Sequence, residues 1–171
     1  PYALWAHRGG REMAVWIART PEAATPIPAA TVAYRAKKTA SHNQGLADAL
    51  GDQLLVRSSS DKSMPFFHWW PRFGSTEWVE YDFADEETCS SAEVYWMVDV
   101  PNGGCDLPAE WRILYRDGDR WLPVESPSDY GLKKDTTNRV TFKPVTTKGL
   151  RVEVKLKEGL SAGIQEWTVG K

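Results

Sequence analysis

The chain has 171 residues, a formal net charge of -2 and a pI near 6.0. That length suffices for one ordinary core, and so small an acidic excess argues against nucleic acid, whose binders carry a clear basic surplus. No apolar run approaches the roughly 18 residues of a membrane-spanning helix, so neither nucleic acid nor a membrane is expected as a partner.

The first segment reads as a hairpin over residues 1–18. Tyr2 to His7 alternates, Arg8-Gly-Gly10 turns, and Met13 to Ile17 returns. Gly-Gly between two β-prone runs is a hairpin signal, and a lone hairpin needs something to pack on. Residues 19–30 (RTPEAATPIPAA) carry three prolines and read as a semi-rigid linker. The main domain then runs over 31–171.

Within it, short strands follow one another with turn signals between them, the pattern of an all-β sandwich. Val32–Ala36 reads as the first. Glu77–Phe83 places Val79, Tyr81 and Phe83 on one face, and Ser91–Val98 groups Val94, Trp96 and Val98. Trp111–Arg116 ends in the tight turn Asp117-Gly118, and Trp121–Val124 returns from it. Arg139–Phe142, Leu150–Leu156 and Gly163–Val169 complete the set, with one short helical turn at Leu46–Leu50.

The connections are unequal. Residues 85–87, 117–119 and 146–149 read as short turns, whereas 56–75, 99–108, 126–138 and 157–163 are long. Successive turns of an antiparallel sandwich fall at alternate ends, so the long loops should gather at one rim, where binding usually sits.

Nine tryptophans exceed what a core of this size needs, so part of the excess should work at a surface. The richest stretch is residues 61–73, with Phe66, Phe67, His68, Trp69, Trp70 and Phe73. Aromatic faces stack on the C–H face of a sugar ring while polar neighbours read its hydroxyls. Of the adjacent pair Trp69 and Trp70, one side chain should enter the core and the other face a ligand. Gly103-Gly104 allows a close approach to backbone, with Asn102 and Asp106 beside it. Cys89 and Cys105 read either as a disulfide, if the protein is exported, or as two free thiols. His7, His42 and His68 have no partner at metal-ligand spacing. The nucleophile elbow, the P-loop and the dinucleotide fingerprint are all missing, which argues against an enzyme with catalytic machinery of its own.

Residues His42-Asn43, 49–52, Phe67–Trp70, 76–83, 92–96, Gly103–Cys105, Pro108, 111–118, Asn138–Val140 and Gly163–Trp167 together resemble the discoidin-like (coagulation factor 5/8 C-terminal type) domain. More narrowly they resemble the version at the C-terminus of bacterial β-L-arabinofuranosidases of glycoside hydrolase families 127 and 146. Residues 1–17 look like the last strands of the domain preceding it there. The resemblance implies an antiparallel, jelly-roll-type β-sandwich and a non-catalytic carbohydrate-binding module. It would target an attached hydrolase to arabinose- or galactose-containing polysaccharide of plant or microbial origin, and would be secreted, periplasmic or on the surface of a bacterium. Trp69 or Trp70 would stack on sugar, with Arg57, Asp61, His68, Asn102 and Tyr130 as hydroxyl readers. It also implies a structural Ca2+ held by the Leu50 carbonyl, Asp52 and Glu166, hard oxygen donors of the kind that ion takes. The rival expectation is a docking domain of the parent hydrolase with no ligand of its own, Trp5 and Trp16 lying near the contact.

Overall fold

The computed structural model describes residues 29–54 and 56–171 and, before them, the backbone pairing of four two-residue strands. These four are β1 (Tyr2–Ala3), β2 (His7–Arg8), β3 (Arg11–Glu12) and β4 (Ile17–Ala18). β2 pairs antiparallel with β3 across Gly9-Gly10, and β1 with β4. Residues 19–28 of the linker expected at 19–30, together with Trp5 and Trp16, lie outside the described residues.

The main domain opens differently from expectation. Val32–Arg35 is a helical turn, α1, and not a strand. Thr31 caps it, its Oγ1 accepting the Tyr34 N–H at 3.1 Å, and a side-chain cap of this kind offers the chain an alternative to pairing. The first strand of the domain is β5 (Lys37–Ala40), followed by a 3-10 helix over Gln44–Gly51. Then come β6 (Phe67–His68), β7 (Thr76–Met97), β8 (Glu110–Asp117), β9 (Arg120–Pro123), β10 (Thr137–Lys155) and β11 (Gly163–Gly170).

β7 spans 22 residues and β10 19. Extended, β7 would reach about 70 Å, whereas a domain of this size is about 40 Å across. Both strands therefore bend, and they bend together. The first half of β7 pairs with the second half of β10, Thr76–Asp82 against Gly149–Lys155, and Ser91–Tyr95 pairs with Thr137–Thr141. Register shifts at 141–145 and 147–149 mark the corner, as bulges do. The segments 85–87 and 146–149, expected as turns that reverse the chain, are the corners where strands cross from one layer to the other. Asp85 to Glu87 carry three successive charges on exposed or half-buried backbone, a composition that marks a turn and a solvated corner equally well.

The hydrogen-bonded sheet of seven strands thus closes on itself as a sandwich. One layer is β5, the first half of β7, the second half of β10, β8 and β9. The other is β6, β11, the second half of β7 and the first half of β10. Alternation decides what lies between them. Val79 and Tyr81 from the first layer meet Val94, Trp96, Ile164 and Trp167 from the second, all fully buried. Tyr81 and Trp167 stack across the layers with centroids 3.8 Å apart, and Trp96 meets Trp111 edge to face at 5.4 Å. Such pairs add about 0.5–1.5 kcal/mol beyond the area they bury. The outward positions of the first layer carry a ladder in which Trp78, Arg151, Trp121 and Arg116 alternate.

Candidate functional site

The long loops do meet at one end. Val98 N–H donates to the Ser59 carbonyl (2.8 Å), and Ser59 N–H to Asp135 Oδ1 (2.8 Å). Trp69 N–H donates to the Ala162 carbonyl (3.0 Å), and Ser161 N–H to the Gly104 carbonyl (2.8 Å). The Lys62–Asp99 pair (2.8 Å) and the Lys157–Asp106 pair (2.7 Å) close the gaps.

On this rim the β6 strand and the two residues after it alternate in burial. Phe67 and Trp69 are fully buried, His68 is half-buried and Trp70 is 51% exposed. Trp69 is therefore no sugar platform. Its ring lies edge-on to Phe67 at 4.9 Å and its Nε1 faces the Trp78 carbonyl at 3.4 Å. Trp70 is the open member of the pair, with Phe73, 43% exposed, close after it in the chain. A Cβ on Gly104 would stand 2.8 Å from Trp70 Cδ1 and 2.9 Å from its Nε1. The glycine that suggested an approach of ligand to backbone is thus used first by the edge of this indole.

The expected polar readers divide. His68 shares the Trp70 segment, and burial pushes its imidazole below the usual histidine value, Asp99 opposing the shift. Asn102 is exposed on the neighbouring loop, its N–H bonded to the Asp99 carbonyl at 2.9 Å. Asp61 is engaged in its own loop. Its Oδ1 accepts from Ser63 N (2.9 Å) and Oγ (2.6 Å), its Oδ2 from the Arg57 N–H (3.1 Å). Those bonds, the Ser63 hydroxyl first, hold the carboxyl below its ordinary value. The Arg57 side chain stays exposed on that loop. Tyr130 packs edge-on to Trp111 at 4.9 Å and its Oη accepts the Ile113 N–H at 3.2 Å, which makes it part of the scaffold.

Sequence reasoning missed three contributors. Asp99 accepts the Cys105 N–H at 2.9 Å besides pairing Lys62, and it shapes the loop that carries Gly104. Asn43, between β5 and the 3-10 helix, donates to the His68 and Trp70 carbonyls at 2.9 Å each. Their local signal is weak, since a lone Asp, Lys or Asn in a polar stretch reads as a solvated turn.

The implied metal ligands are brought together elsewhere. Asp52 ends the 3-10 helix, and Glu166 reaches it from β11, accepting the Gln53 N–H at 3.3 Å. Burial, and then the adjacent Asp52 carboxylate, push Glu166 up to about 9. The Leu50 carbonyl is met by Tyr81 Oη at 2.8 Å. Glu166 Oε2 is buried and meets no N–H donor among the described residues, its carboxyl facing that of Asp52. Two neighbouring buried carboxyls suit a hard cation or a retained proton shared between them. Cys89 lies at the corner and Cys105 at the rim, opposite ends of the sandwich. Both are free, buried thiols, which burial raises to about 11 and about 12. A cavity of about 320 Å³ lies between the starts of β7 and β8 and the end of β10, flanked by Trp111, Arg112 and Glu153. It does not include Trp70.

No family model matches the chain. Its fold is that of several solved carbohydrate-binding domains. A structure from the Streptococcus pneumoniae β-galactosidase BgaA matches at TM-score 0.69 and 16% identity, over 80% of this chain and 92% of that one. The family 32 carbohydrate-binding module of Clostridium perfringens NanJ, in complex with galactose, matches at 0.58 and 14%, over 81% and 95%. Chitosan-binding module 1 of a chitosanase/glucanase from Paenibacillus sp. IK-5 matches at 0.58 and 16%, over 82% and 98%. At such identities the likeness establishes the discoidin-like β-sandwich.

Proposed function

We propose that this domain is a non-catalytic carbohydrate-binding module that holds an attached glycoside hydrolase on arabinose- or galactose-containing polysaccharide. The observation that carries the reading is Trp70, a half-exposed indole fixed by Gly104 on the rim where four long loops meet. Its open face suits the C–H face of a pyranose or furanose ring, and Asn102, His68 and the Lys62–Asp99 pair surround it with groups that hydrogen-bond hydroxyls. Similar modules are described with galactose and with GalNAc-β-1,3-galactose, which supports galactose-type ligands for this one. The rim is shallow and buries little of a ligand, so affinity is weak for a single sugar.

Asp52 and Glu166, with the Leu50 carbonyl, would hold a structural Ca2+, whose charge would keep both carboxyls ionised and fix the end of the 3-10 helix to β11. The parent enzyme is of the β-L-arabinofuranosidase type, and the site of action is outside the bacterial cytoplasm. Calorimetric titration with arabinan, galactan and arabinogalactan tests the central claim. Binding by the native chain, lost in Trp70→Ala, is expected. Absence of heat with all three at millimolar sugar would overturn it in favour of a docking domain without a ligand.

A further inference from the structure

The strand alternation that buries Phe67 and Trp69 turns His68 and Trp70 toward the same side. Asn43 stands behind both. Its Nδ2 lies 2.9 Å from the His68 carbonyl, 2.9 Å from the Trp70 carbonyl and 3.2 Å from His68 Nδ1. The two carbonyls identify this end of the side chain as the NH2 group, because an amide oxygen there would face two acceptors.

That assignment fixes the imidazole. An amide nitrogen offers no lone pair, so a proton on Nδ1 would point at a donor. Nδ1 is the bare nitrogen, sharing an amide hydrogen in a three-centre contact, and the ring proton resides on Nε2. Burial favours the neutral ring; Asp99 and then a hydrogen bond to the Trp70 backbone oppose this, while His42 and Lys62 add to it.

We propose that Asn43 is a positioning residue of the rim site: it holds His68 as the Nε2–H tautomer and ties it to Trp70, so that the site takes a sugar offering an oxygen acceptor to Nε2 beside the C–H face stacked on the indole. This rests on the sugar-binding reading above and adds the polarity of the contact. Asn43 has a left-handed backbone (φ 54°). Asn43→Gly therefore keeps the backbone while deleting the clamp, and Asn43→Asp keeps the side-chain outline, loses the donor to the two carbonyls and draws the proton to Nδ1.

The test reads the ring nitrogens of His68 by 15N NMR in the unliganded chain, alongside titration with arabinogalactan. The native protein should show a protonated Nε2 and a bare Nδ1. Asn43→Gly should mix the tautomers and weaken binding about tenfold, with a melting temperature within a few degrees of native. Asn43→Asp should move the proton to Nδ1, and repeats the tautomer test should the glycine variant fail to fold. A proton on Nδ1 in the native protein, or unchanged signals and affinity in both variants, overturns the proposal. If native protein binds no arabinogalactan, the sugar reading and the ligand clause fall together, and the ring signals still decide whether Asn43 sets the tautomer.

Discussion

Among the described residues, indoles lie outside the core at two places, and their neighbours treat them in opposite ways. On the outer face of the first layer, Arg151 is held between Trp78 and Trp121, its Cζ 4.8 and 4.5 Å from their centroids, and Arg116 lies 5.0 Å from Trp121. Glu80 accepts from Arg151 Nε at 2.8 Å and also from its Nη2, and Asp82 holds Arg116 at 2.8 Å. Every indole in that ladder has a cation on it. At the rim, Trp70 has Gly104 along its Cδ1–Nε1 edge, is 51% exposed, and has no cation over its ring among the described residues. A tryptophan outside the core is thus free for a ligand only where no guanidinium already occupies its ring.

Substitutions can break this contrast. The largest effect is expected inside the core, at the neighbour of the open indole. Trp69→Ala should cost about 3–5 kcal/mol in denaturant unfolding, while Trp70→Ala beside it costs under about 1 kcal/mol. Equal losses would mean that the two side chains share one environment. In the ladder, Arg151→Ala should cost about 2 kcal/mol, between the values for buried and surface pairs, because it strands Glu80, whose side chain is 10% exposed. Sugar affinity should not change with it. A loss of binding in Arg151→Ala would move the ligand to the outer face.

The Asp52–Glu166 pair sharpens the comparison, being two carboxyls that the fold buries side by side. Glu166 rises from 4.5 to about 9 on folding, so between those values the folded state holds a proton that the unfolded chain has released. Stability in chelator should therefore fall as pH rises through that window. Thermal melts should show the slope, Glu166→Gln should flatten it, and millimolar Ca2+ should remove it by replacing the proton. The smallest effect on stability belongs to Gly104→Ala, under about 1 kcal/mol. Its Cβ would displace the indole, so affinity should drop severalfold with little change in melting. An unchanged affinity would show that Trp70 is not the platform.

Alternation along Glu77–Phe83 and Leu150–Leu156 settled which side chains point inward, because the two-residue period of a strand is local and leaves its mark in the order of residues. Loop lengths, likewise local, foretold the crowded rim. What the order of residues left open was decided at a distance. Whether 85–87 reverses the chain or bends it depends on β10, which runs alongside. Thr31 turned Val32–Arg35 into a helix where β-branched and aromatic residues suggested a strand. Trp69 and Trp70 are identical in sequence terms, and the sandwich separates them by packing Phe67 on one and leaving the other half exposed. Asn43 becomes part of the site through carbonyls 25 and 27 residues away. Exposure and hydrogen-bond partners belong to the assembled surfaces, and so tertiary structure alone decided which aromatic, and which histidine nitrogen, the rim presents.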